Sequence, residues 1–111
     1  MRLYTALVPS ASDNPGPFLD WDTAQSSFHD ASQVAETGVA SELKNKQIPV
    51  RTFRAPLRPL NNIVTAALAI EISPTTGKVS QLTAPDYEQS VASAVATGVL
   101  AVRDKLQAGP R

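Results

Sequence analysis

The chain contains no cysteine, which excludes disulfide scaffolds and any zinc or iron–sulfur site held by thiolates. It has one histidine, so no site drawing two from the same chain can form, the HExxH metalloproteases included. Neither sign of charge dominates: ten Lys+Arg face ten Asp+Glu, for a net charge of zero. The electrostatic footprint of a nucleic-acid or anionic-membrane binder is therefore missing. No apolar run approaches the roughly 20 residues that span a bilayer. At the N-terminus, Arg2 precedes only Leu3 to Val8, with Thr5 inside the stretch and Pro9 closing it. That is too short for the apolar core of a signal peptide, so no signal peptide is expected in this chain. What is present is globular: 42% hydrophobic and 18% charged residues over 111 positions, enough for a single domain, residues 1–111.

The stretch Arg2 to Val8 reads as a strand starting almost at the first residue, as if cut from a larger fold. Ser10 to Asp20 (SASDNPGPFLD) has loop composition. Asp22-Thr-Ala-Gln25 resembles a capping box. Ala24, Phe28, Ala31, Ala35, Val39 and Leu43 then recur at helical spacing, with Lys44 and Lys46 where a helix dipole favours cations. Gly38 inside this helix points to close packing on a sheet. Gln47 to Phe53 (QIPVRTF) reads as a short strand, and Arg54 to Asn62, with two prolines, as irregular. Ile63 to Ile72 (IVTAALAIEI) lacks period-two alternation, which suits a central parallel strand covered on both faces, with a buried helix as the competing reading. Thr83-Ala-Pro-Asp86 opens a last helix whose stripe is Tyr87, Val91, Val95, Val99, Val102 and Leu106, and Gly109-Pro110 stops it. The expected class is α/β: a small βαββα half-domain of two or three layers with a mostly parallel sheet. So much apolar surface on three strands and two helices implies a partner subunit or a missing half.

Glu71 is the one charge between Asn62 and Ser73, near the end of the apolar run. Ligands of parallel α/β sheets bind outside the carboxyl ends of strands, and an acid there suits general acid/base work. Alternatively it emerges into solvent, or pairs with Arg51, Arg54 or Arg58. Those arginines, with Asn61 and Asn62, offer carboxylate or sugar contacts, Arg58 and Asn61 being the candidates, or form a solvated loop. His29 is a ligand or base, or a surface or capping histidine. Trp21 with Phe18 is a sugar platform or a buried anchor. No Ser or Thr sits in a G-x-S-x-G elbow, so nucleophilic catalysis is set aside.

In order and in motif, the chain resembles the C-terminal half of the zinc-dependent N-acetylmuramoyl-L-alanine amidase catalytic domain, a peptidoglycan hydrolase. The residues that carry the resemblance are the strand Arg2 to Val8, Ser32-Gln-Val-Ala35 on the first helix, Pro56-Leu-Arg-Pro-Leu60, Ala69-Ile-Glu-Ile72 and the terminal helix. Glu71 falls on that family's catalytic glutamate. Ser73-Pro-Thr-Thr-Gly77 departs from the family's Gly-Phe-Leu-Ser-Asn type segment. The family's His, Glu and His zinc ligands would lie upstream, so no metal ligand is assigned here, and no cofactor is expected in this chain although the parent family uses zinc. The resemblance implies hydrolysis of the amide between N-acetylmuramic acid and the stem peptide, peptidoglycan or muropeptide as partner, and a periplasmic or secreted parent. The isolated chain is expected to be inactive. The alternative is a non-catalytic cell-wall-binding or self-associating α/β module, with a homo-oligomer as its form.

Overall fold

The structure, a computed structural model, describes residues 1–7 and 21–107. The loop Ser10 to Asp20 with Phe18, the end of the first strand at Val8, and the Gly109-Pro110 stop lie outside the described residues. The side chains of residues 21–23, Trp21 among them, lie outside them as well.

Three strands form the sheet: β1 (Arg2–Ala6), β2 (Arg51–Ala55) and β3 (Ala69–Glu71), in the order β2-β1-β3. β1 pairs with β2 in parallel, Arg2 opposite Arg51 through Ala6 opposite Ala55. It pairs with β3 antiparallel, Arg2 opposite Glu71 and Tyr4 opposite Ala69. The sheet is therefore mixed, which corrects the expectation of a mostly parallel one, and β1 rather than the apolar run occupies its centre.

Along β1 the side chains alternate between faces. Leu3 and Thr5 are buried beneath the helices, while Arg2 and Tyr4 lie on the other face. The parallel pair is joined through α1 (His29–Asn45), as the strand–helix–strand order requires. Ser32, Ala35, Val39, Ala40 and Leu43 form the buried stripe of α1. The last long helix, α3 (Pro85–Ala101), buries Tyr87, Val91, Ala94 and Gly98. Leu3 and Ile70 from the sheet meet Val39, Leu43, Val91 and Ala94 in the main core. The turn α2 (Arg58–Asn61) follows β2 and covers one end of the opposite face, where Leu60 packs with Ala6 and Ala67. A final turn, α4 (Arg103–Leu106), continues α3 after a break at Val102. No helix among the described residues is long and apolar enough to cross a membrane.

Several local expectations shift. Residues Trp21–Phe28 wind as a 3₁₀ segment, and α1 begins only at His29, with Phe28 at its N-cap and no side-chain cap. The capping box fails because the Gln25 amide is committed elsewhere. Gln25 Nε2 donates to the carbonyls of Ile63 and Thr65 at 2.6 and 2.7 Å. Its Oε1 accepts from Ser32 Oγ at 2.7 Å, and Ser32 Oγ in turn accepts from the Ala67 N–H at 3.0 Å. These bonds explain why the apolar run is strand only at Ala69–Glu71. Upstream, Ile63, Thr65 and Ala67 offer backbone groups to side chains instead of to a ladder.

At the start of α3 Pro85 occupies the first turn, as expected, but the N-cap is Ala84, and Thr83 Oγ1 donates to the Ser80 carbonyl instead. Arg58–Asn61 is a helical turn inside the segment expected to be irregular. Gly38 meets α3 rather than the sheet: a Cβ there would lie 2.7 Å from the Gly98 carbonyl oxygen. Gln47, at φ 60, turns the chain from α1 toward β2, which starts at Arg51 rather than at Gln47.

Candidate functional site

Glu71 ends β3, and the antiparallel pairing sets it opposite Arg2. Its Oε2 accepts from the Tyr4 hydroxyl at 3.1 Å, and its Oε1 lies 3.5 Å from Arg2 Nη1. The three side chains share one face because residues two apart on a strand point the same way and directly opposed residues share a side. The carboxylate side chain is 52% exposed, so water and small ligands reach it. Of the two simple alternatives, an ion pair is made, but with Arg2 rather than with Arg51, Arg54 or Arg58.

Its place in the sheet differs from the expected one. β3 runs against β1 and β2, so its carboxyl end lies beside their amino ends. The rule that sites sit beyond strand carboxyl ends therefore does not by itself mark Glu71. Arg58 and Asn61 follow the far end of β2, where Leu60 packs on Ala6. The fold separates them from Glu71 by the length of β1. Arg58 is exposed, and the buried Oδ1 of Asn61 has no hydrogen-bond partner among the described residues.

His29 and Arg54 meet on the helix-covered side of the sheet. Arg54 Nη2 lies 2.8 Å from His29 Nε2. A guanidinium only donates, so Nε2 is the acceptor and its lone pair is engaged. Arg54 also faces Glu36 on α1. Burial pushes the Glu36 carboxyl above its ordinary value of 4.5, and the Arg54 guanidinium partly opposes this. Its Oε2 is shut from solvent without a hydrogen-bond partner among the described residues. A carboxyl whose pKa is raised by folding contributes stability that is fully present below 4.5 and is lost as pH rises through the folded value. Glu36→Gln is therefore expected to be more stable than the parent at pH 7, with the advantage shrinking toward pH 4.5. Urea unfolding midpoints across that range check it, and a constant difference would rule the carboxyl out as the cause.

Tyr87, beneath the segment after β3, donates to the Ser73 carbonyl at 2.7 Å, and burial raises its hydroxyl pKa. This bond anchors the segment that departs from the amidase pattern. Sequence reasoning missed Arg2 and Tyr4 as the partners of Glu71. The signal available was the Arg-x-Tyr spacing, which places both on one face of a strand.

Among the described residues no group of three or more His, Cys, Asp or Glu side chains is arranged to hold a metal ion. His29 faces the Arg54 guanidinium. No family model, curated protein or solved structure matches the chain.

Proposed function

We propose that the chain is the C-terminal part of an N-acetylmuramoyl-L-alanine amidase catalytic domain and supplies its proton-transfer carboxylate, Glu71. The observation that carries this reading is the setting of Glu71. It is a reachable carboxylate at a strand end, held from two sides by the Tyr4 hydroxyl and the Arg2 guanidinium. A carboxylate fixed in this way can take a proton from an attacking water and return it to the leaving amine. Tyr4 and Arg2 fix its direction, and Tyr87 fixes the Ser73 backbone just beyond it. The sequence pattern Ala69-Ile-Glu-Ile72 supports the same assignment. Substrate is the amide joining N-acetylmuramic acid to the stem peptide, with Arg58 and Asn61 as the more distant contacts to peptidoglycan. Zinc belongs to the upstream half in this reading, as does the periplasmic or secreted setting.

The test is to join an upstream amidase half bearing the zinc ligands to the N-terminus and assay muropeptide cleavage. Release of stem peptide by the joined protein, and none by either part alone, is the expected result. A joined protein that folds and loads zinc yet leaves muropeptide intact would overturn the reading.

The self-associating module remains the second reading, favoured by the apolar surface at Ile72, Val99 and Leu100, which are 49%, 39% and 64% exposed. A stable oligomer by light scattering, combined with an inactive joined protein, would favour it over the amidase.

A further inference from the structure

On the face of the sheet away from α1, the parallel register sets two arginines side by side, Arg2 opposite Arg51. Like charges directly opposite one another on a sheet repel. Arg2 is offset by Glu71. Arg51 is exposed and has no ion pair or side-chain hydrogen bond among the described residues. Both arginines border a cleft of about 470 Å³ at the amino ends of β1 and β2, lined also by Met1, Lys44, Pro49, Val50 and Ser73. Lys44 comes from the last turn of α1 and adds a third positive charge. Three cationic side chains thus border one cleft, and the carboxylate Glu71 contacts one of them, Arg2. Two residues along, on the same face, Tyr4 and Phe53 stack with ring centroids 5.6 Å apart and planes at 26°. Phe53 is left 40% exposed.

We propose that this cleft binds a small organic carboxylate that carries a flat ring. The Arg51 guanidinium takes the carboxylate through its paired N–H donors, and Arg2 closes on it from the neighbouring strand. The ring extends beyond the cleft, which Phe53 does not line, to lie against the exposed Phe53, beside which Tyr4 stacks. The cleft falls within the ~300–1,000 Å³ range of small-molecule sites. Glu71 competes with the ligand for Arg2, so the site is partly self-occupied when no anion is present. Hydrolysis is not part of this inference. Glu71→Gln removes activity if the amidase reading holds, whereas here the same substitution frees Arg2 and strengthens binding.

The experiment is an amide-resolved NMR titration of the 111-residue chain with N-acetylphenylalanine at pH 7 and low salt. N-acetylphenylalaninamide is the neutral control. The acid is expected to shift the amides of residues 2–4 and 51–53, and the neutral amide to leave them in place. Arg51→Gln is expected to weaken binding about tenfold or more, and Arg51→Lys to recover part of it. Glu71→Gln is expected to tighten binding several-fold. Both positions are exposed, and the NMR spectrum itself reports whether each variant is folded. Equal binding of acid and amide, an unchanged affinity in folded Arg51→Gln, shifts that map elsewhere, or no binding at millimolar acid would each overturn the proposal.

Discussion

Gln25→Leu is expected to cost about 3–5 kcal/mol, and more than Gln25→Ala, although leucine fills the site and alanine leaves a hole. Gln25 is 1% exposed and its amide serves three partners: the carbonyls of Ile63 and Thr65 and the hydroxyl of Ser32. Leucine matches the volume while leaving all three without that bond, the two carbonyls part-buried and the Ser32 hydroxyl fully buried. Each such orphan costs about 1–3 kcal/mol. Alanine loses the same bonds, but the space it opens, lined by those polar groups, admits a water that restores some of them. If packing governed the position instead, the order would reverse and leucine would be the milder change. Denaturant unfolding of the two variants decides between the accounts. The consequence extends to the site, because this network holds residues 63–67, which lead directly into β3 and Glu71.

Gly98→Ala is the second large effect, a loss of about 2–3 kcal/mol despite alanine's better helix propensity. A Cβ at position 98 would stand 2.7 Å from Val39 Cα and 2.8 Å from both the Gly38 carbonyl oxygen and the Val39 nitrogen. All three are backbone atoms of α1, so no side chain can swing aside. The helices must separate, and the contacts of Val39 and Val91 in the core loosen with them. Propensity alone would make the substitution stabilising by about 1 kcal/mol. A raised unfolding midpoint for Gly98→Ala would thus show that α1 and α3 do not cross at this pair of glycines.

The helices were legible in the sequence because their signal is local. The Ala35, Val39 and Leu43 stripe of α1 and the Tyr87 and Val91 stripe of α3 are periodic, and both faces are buried. The strand–helix–strand order of β1, α1 and β2 was equally readable. The run Ile63 to Ile72 was not. Its β-branched, apolar composition describes a strand, but Gln25 and Ser32, far away in the chain, claim its first backbone groups. Periodicity cannot register a competitor more than thirty residues off. The direction of β3 was also hidden, since composition does not distinguish the third strand of a parallel sheet from an antiparallel edge.

That direction moved the candidate site. Glu71 was identified from its isolation among apolar neighbours, and it is a reachable carboxylate with two defined partners. Arg58 and Asn61, which look close in sequence, lie beyond the opposite end of β1 because α2 follows the carboxyl end of β2. Arg2 and Tyr4, at the far end of the chain, are the residues brought to Glu71 instead. They could have been found only by assuming the register that the structure now displays.

The central claim is that Glu71 moves the proton in amide hydrolysis, and the direct measurement is the rate of muropeptide cleavage by Glu71→Gln in the joined, zinc-loaded protein. Glutamine keeps the size of the side chain and can still accept from the Tyr4 hydroxyl, while losing the ability to take a proton. A fall in kcat of about 10²-fold or more, with the fold and zinc content unchanged, is the result the account requires. A folded variant that cleaves at the parent rate would contradict it, leaving Glu71 as the counter-ion of Arg2 and no more.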